Sequence, residues 1–266
     1  TNKTVEGNSS KLNSYEFGTS LSLDFPRLIL PWKDSELRRS RFRQKTSFKV
    51  YGDWLNRARF FNMLSFGGNV TYEFRPSRLW KHTITPFQLT FNTLMSTTER
   101  CDSIVAGNPS LELSLGDQFI PSMKYTFTYD NSRLKQHNQL WWETSITSAG
   151  NVTSLLYAAL GKGFHEKNKE LLGTPFAQFL KLTSEVRRLY KVGEKQHIAM
   201  RFMGGILWSY GNQTIAPYSE QFYIGGANSL RAFTVRSIGP GTYNPAVNNK
   251  YSYLDQTGDI KLEANV

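Results

Sequence analysis

Cysteine is nearly missing from this chain. Cys101 stands alone, so no intrachain disulfide can form and no spaced thiol pair exists to hold a metal. One thiol does not settle the redox compartment. Histidine is also scarce: His82, His137, His165 and His197 lie far apart in unrelated segments. His165-Glu166 begins like a zinc-protease helix, but Lys169 stands where the second histidine belongs. No G-x-S-x-G seats a lipase-type nucleophile, and Gly161-Lys-Gly163 is too short to cradle a phosphate. Asp255 and Asp259 form a carboxylate pair in a loop, where solvation or pairing with arginine is the commoner role. The reading is a protein that is not an enzyme and uses no cofactor or metal. Long hydrophobic runs are lacking too. No window approaches the ~18–20 apolar residues of a transmembrane helix. The longest charge-free stretch, Thr144 to Gly161, is mostly Ser, Thr, Asn and Gly, with only Leu155–Leu160 continuously apolar. If the chain crosses a membrane, it crosses with strands.

Aromatics, by contrast, are abundant at 14%, while mean hydropathy is −0.45, so they are spread among polar residues. That mixture suits half-buried sheet better than a helical core. Period-two alternation begins at Ser14, with Leu21, Leu23 and Phe25 set against Ser20, Ser22 and Asp24. It predicts further strands over Gln44–Leu55, Ser65–Arg75, Thr83–Leu94, Phe119–Asp130, Gln139 to about Tyr157, Phe176–Tyr190 and Gln196–Tyr210, with a last partial strand around Ile260, Leu262 and Ala264. Connections near 76–81, 131–138 and 191–195 are short, and those near 95–117, 161–175 and 211–257 are long. Short turns on one side, long loops on the other and aromatic-flanked dyad strands are what an antiparallel transmembrane β-barrel requires. The fold class is therefore all-β, with a soluble β-sandwich as the less fitting alternative. The opening Thr1-Asn-Lys-Thr-Val-Glu6 is polar, and Gly258–Val266 stops in mid-pattern. Both ends suggest a fragment of a longer protein.

One stretch resists the pattern. Phe222 to Tyr243 holds too much Gly and Pro for a helix and is too long for a hairpin turn, yet it contains Phe222, Tyr223, Ile224, Leu230 and Phe233. A single cation, Arg231, sits between Leu230 and Phe233. Such a loop is expected to fold back against protein and to take its arginine with it.

The spaced elements Phe222-Tyr223, Gly225-Gly226, Asn228-Ser229, Leu230-Arg231-Ala232-Phe233 and Ile238-Gly239-Pro240 resemble the sixth extracellular loop of the bacterial outer-membrane assembly barrels. This is the BamA/TamA-like surface antigen family, and the variant is closest in flavour to Bacteroidetes members. The resemblance implies a sixteen-stranded barrel, of which residues 1–266 would be one domain holding strands four to twelve, with the loop at 211–257 folded into the lumen. It further implies that Arg231 pairs with acids of the inner wall. The candidates are Asp255, Asp259, Glu263 and Glu185, with Glu143 a further one. Ala232 departs from the family's glycine, and a positive φ there would cost roughly 1 kcal/mol.

The implied function is to insert outer-membrane proteins, or to carry polypeptide across the bacterial outer membrane. The implied partners are nascent outer-membrane proteins or secreted polypeptide, accessory periplasmic or lipoprotein subunits, and outer-membrane lipid and lipopolysaccharide. The alternative is a passive channel or receptor-like barrel. Net charge is +11, from 32 Lys and Arg against 21 acids, with a basic cluster at Arg38, Arg39, Arg41 and Arg43. These raise a soluble nucleic-acid-binding β-protein as a second rival, but the sided loops argue against it, so no nucleic-acid partner is expected.

Overall fold

The computed structural model describes residues 14–29, 44–57, 61–98, 116–132, 134, 138–161, 169–171, 173–212, 214–233, 235–236, 238–239 and 257–266. Nine long strands build one antiparallel sheet: β1 (Ser14–Phe25), β2 (Lys45–Arg57), β3 (Phe61–Phe74), β4 (Trp80–Thr97), β5 (Gln118–Asp130), β6 (Asn138–Ala149), β9 (Phe179–Lys191), β10 (His197–Ser209) and β11 (Ile260–Asn265). Among the described residues between β6 and β9 are a helix, α1 (Asn151–Ala159), and a minimal hairpin of β7 (Glu170–Leu171) and β8 (Thr174–Pro175). The long strands pair in chain order, each with its sequence neighbour in the sheet. This all-β architecture, dominated by one nine-stranded antiparallel sheet, is that of a partial β-barrel. Among the described residues no helix is long and apolar enough to cross a membrane.

The register explains why the alternation runs so regularly. Directly opposed residues share a face, and one row reads Ile84, Tyr125, Ile146, Leu182, Ile206, Ile260 across six strands. The adjacent row, on the other face, reads Thr83, Thr126, Ser145, Thr183, Gly205, Lys261. A one-residue slip would exchange the two faces, so the pattern holds every strand in register. The apolar face is exposed: Leu21, Phe87, Phe202 and Leu262 are each more than half accessible. A sheet that presents its apolar side outward and its polar side inward is built for lipid, not for water.

Near the short-turn end the outward face becomes aromatic. Trp80 packs on Tyr129 and Phe127 at centroid distances of 4.7 and 4.9 Å, Phe127 meets Trp142 edge-on at 5.5 Å, and Phe74 stacks on His82 at 5.1 Å. Rings with polar edges suit the boundary between hydrocarbon and water. Pro86 interrupts β4, and the β4–β5 ladder skips from Thr85 to Gln88 because proline has no N–H to give.

Three expectations need correction. Residues 151–159 are helix, not the end of a strand: Gly150 takes φ 67, turns the chain out of β6, and the apolar residues that follow recur at helical spacing. The strand expected from Phe176 starts at Phe179, because 176–178 turn inward and are buried. Loop sidedness is also incomplete. Strict antiparallel order places the long 26–44 connection at the end of the short turns, and 58–60, only three residues, at the end of the long loops.

Candidate functional site: a loop braced across the polar face

After β10 the chain does not return directly to β11. The described residues between 216 and 236 cross the polar face, from the β3–β4 side to β11. At the β3–β4 side, Tyr218 is buried against Phe61 and Met63, with ring centroids of Tyr218 and Phe61 5.7 Å apart and edge-to-face. Beside it, Asn92 on β4 donates from Nδ2 to Ser219 Oγ at 2.9 Å. In the middle, Lys181 on β9 reaches the Glu220 carboxylate at 3.0 Å and donates to the Glu220 carbonyl at 2.7 Å. Phe222 then seats its ring in an apolar cluster with Ile120, Phe179 and Leu207. Its backbone exchanges two 2.9 Å hydrogen bonds with Gly258, just ahead of β11. Gly205 on β10 makes room for that ring, since a Cβ there would lie 2.4 Å from Phe222 Cζ.

The far end is held by ions. Arg201 on β10 donates from Nε to Glu185 on β9 at 2.6 Å and from Nη1 to Glu263 on β11 at 2.7 Å. The same Nη1 reaches the loop carbonyl of Asn228 at 3.1 Å, and Ser229 Oγ donates to the second Glu263 oxygen at 2.7 Å. Arg187 supports Glu185 at 2.6 Å, and Lys261 supports Glu263 at 3.2 Å. One guanidinium thus ties three strands and the loop together, its planar fork spreading donors from Nε to Nη1. Glu263 is 8% exposed, so water competes weakly for it.

The glycines of the expected motif shape the loop. Gly225 and Gly226 take φ 100 and 93, and Gly226 N–H donates to the Phe233 carbonyl at 2.9 Å, closing a compact turn around residues 226–233. Ala232 keeps an ordinary backbone; among the described residues only Arg236 is a non-glycine with positive φ, at 62. Arg236 is buried at 7% exposure, with its guanidinium 3.9 Å from the Tyr218 ring centroid and 4.5 Å from that of Tyr223. Its Nη1 reaches the Tyr218 carbonyl at 3.5 Å, and its Nε has no hydrogen-bond partner among the described residues. Stacking between two tyrosines supplies the attraction that a carboxylate otherwise would.

Arg231 is exposed, and its Nε donates to the Ala227 carbonyl at 3.3 Å within the same turn. Leu230 and Phe233 beside it are 40% and 50% exposed. Of the acids expected near it, Glu185 and Glu263 meet Arg201, and Glu143 accepts from Thr128 Oγ1 at 3.1 Å. Asp259 stands exposed just ahead of β11. Gly239 is half-buried, whereas Pro240 and Asp255 lie outside the described residues.

Arg201, Arg236 and Tyr218 were not singled out from sequence. The signal for Arg201 was its parity. It falls opposite the Ile198, Met200 and Phe202 face, on the same side as Glu185 and Glu263.

A family model for the Omp85 superfamily domain matches residues 2–266. The chain belongs to the Omp85 superfamily. Omp85 proteins reside in the bacterial outer membrane and serve protein insertion or translocation there, as assembly and transport proteins and not as enzymes. No curated protein is found to match the chain. In this Omp85 domain the outward apolar face is the lipid-contacting wall. The polar face, with the braced loop and the Arg201 network, is the functional candidate.

Proposed function

We propose that this Omp85 domain acts as a BamA/TamA-like barrel that inserts nascent outer-membrane proteins or translocates polypeptide across the outer membrane, residues 1–266 forming one partial-barrel domain. The observation that supports this reading is the loop spanning the polar face from Tyr218 on β3 to Ser229 on β11. A barrel for bulk diffusion needs its polar interior open, whereas a barrel that must keep its shape while polypeptide is handled gains from an internal brace. Phe222, Arg201 and Arg236 set the loop's position, and the exposed Arg231 supplies a further lock once a carboxylate meets it. Nascent outer-membrane chains or secreted polypeptide are the substrates on this reading. Accessory periplasmic or lipoprotein subunits, lipid and lipopolysaccharide are the surroundings.

The test is complementation by the full-length gene. Cells carrying only Arg231→Ala are expected to make a folded, heat-modifiable barrel and to show reduced levels of outer-membrane proteins. Wild-type levels would overturn the lock. A large single-channel conductance, unchanged by the substitution, would instead favour the passive-channel alternative.

A further inference from the structure

Helix α1 is built inside out. Its buried side is polar: Ser154, fully buried, donates from Oγ to Gln178 Oε1 at 2.9 Å and accepts from Lys169 Nζ at 3.0 Å. Asn151 donates to Ser148 Oγ at 2.8 Å and accepts from Tyr210 Oη at 2.8 Å. Its open side is aliphatic, with Val152, Leu155, Leu156 and Leu160 exposed at 52, 62, 61 and 82%. These positions, spaced three, four and eight residues from Val152, form a single stripe. No charged residue occurs from Thr144 to Gly161. A helix at the surface of a protein in water carries the reverse arrangement.

The placement of α1 says what covers that stripe. Ser148, to which Asn151 is bonded, lies on the outward face two residues beyond Ile146 and directly opposite Leu180. Tyr210, the other partner, packs 5.2 Å from Trp208, which is 65% exposed on the same outward face. The helix therefore starts where the lipid-contacting wall ends, at the long-loop rim, and its aliphatic stripe continues that wall. Gly150 makes the corner: its N–H donates to the Pro121 carbonyl at 2.7 Å, and a Cβ would lie 2.3 Å from the Ala177 carbonyl oxygen.

We propose that α1 is an interfacial helix whose Val152, Leu155, Leu156 and Leu160 stripe is seated in the acyl-chain boundary of the adjacent membrane leaflet. It adds a horizontal foothold to strands that otherwise cross the bilayer. The inference rests on the membrane location of the barrel and not on the substrate it handles.

The experiment labels single cysteines with an environment-sensitive fluorophore in a Cys101→Ser background. The full-length protein is reconstituted into phosphatidylethanolamine–phosphatidylglycerol vesicles. Leu156→Cys probes the stripe, Ile146→Cys the wall, and Glu194→Cys the exposed turn between β9 and β10. A helix lying about 5–10 Å into the headgroup–acyl boundary predicts blue-shifted emission at Leu156. It also predicts several-fold stronger quenching by headgroup-region nitroxide lipid than at Glu194, and weaker quenching by nitroxides at the bilayer centre. Iodide quenching equal to that at Glu194 would place the helix in water and overturn the proposal. Shielding from both iodide and nitroxide lipid would mean a protein covers the stripe, and would overturn it too. Failure of the Ile146 label to respond to lipid would strike the barrel reading itself, so the two failures are distinguishable.

Discussion

Truncating Phe222 to alanine should free the loop from the polar face while leaving the strands paired. The ring is 7% exposed and packs among Ile120, Phe179 and Leu207, with Lys181 Nζ 5.0 Å from its centroid. A buried Phe→Ala change costs about 3–5 kcal/mol. The backbone pairing with Gly258 survives the substitution, so the loss falls on docking of the loop. At about 1.4 kcal/mol per tenfold, the undocked population rises by roughly two to three and a half orders of magnitude. Trypsin can report this through cleavage after Arg231, which lies in the turn closed by Gly226 and Phe233. When the loop recloses faster than it is cut, the initial rate follows the open population. The appearance of the fragment beginning at Ala232, followed by mass spectrometry in reconstituted protein, should accelerate by the same factor. Leu230→Ala, at a position already 40% exposed, serves as the control and should change the rate less than about threefold. An acceleration below tenfold for Phe222→Ala would refute the claim that this ring seats the loop. If the alanine variant does not reach a heat-modifiable folded form, Phe222→Leu keeps most of the volume and should still raise the rate by about tenfold, for a loss near 1.5 kcal/mol.

Four further outcomes follow from the same geometry. Arg201→Ala should loosen the loop by about 2 kcal/mol in the cleavage assay, near the low end for a partly buried charge network, because Arg187 still supports Glu185 and Lys261 still supports Glu263. Arg201→Lys should recover only part of it, since an ammonium's donors radiate from one nitrogen and do not reproduce the spread of the guanidinium fork that meets Glu185, Glu263 and the Asn228 carbonyl. Gly205→Ala should cost about 1–3 kcal/mol by overpacking against Phe222 and almost nothing in the Phe222→Ala background, so a double-mutant cycle that shows additivity would contradict the contact. Arg236→Ala should lose about 1–3 kcal/mol of stacking with Tyr218 and Tyr223, visible as faster hydrogen exchange at the residue 236 amide, which donates to the Ile224 carbonyl at 3.0 Å.

The strands were legible because a sheet with lipid on one side and polar groups on the other imposes strict alternation. Met123, Tyr125 and Phe127 set against Lys124, Thr126 and Thr128 admit only one assignment. Residues 151–159 were not legible, since the apolar run Leu155–Leu160 fits either period and only the φ of Gly150 decides between them. The loop's departure from solvent was readable from Phe222, whereas its ionic partners were not. Arg201 finds Glu185 and Glu263 diagonally, two residues along from its direct partner on each neighbouring strand, and that geometry exists only once the register is known. Arg231 drew notice through Leu230 and Phe233, whose side chains the fold leaves substantially open. Arg236, five residues later, takes the buried place between two tyrosines, and nothing in its immediate neighbours marks it.

The span from Tyr218 to Ser229 has a mechanical consequence. β3 and β11 stand six strand spacings apart, about 29 Å along the sheet, and share no ladder hydrogen bond. Strain applied at β11 would ordinarily have to pass through every intervening ladder, fading at each. The loop offers a second path, from Glu263 through Ser229, Phe222 and Tyr218 to Phe61. It works as a tie-rod between distant staves of the wall, so a tug on one is felt at the other without the staves between them having to part.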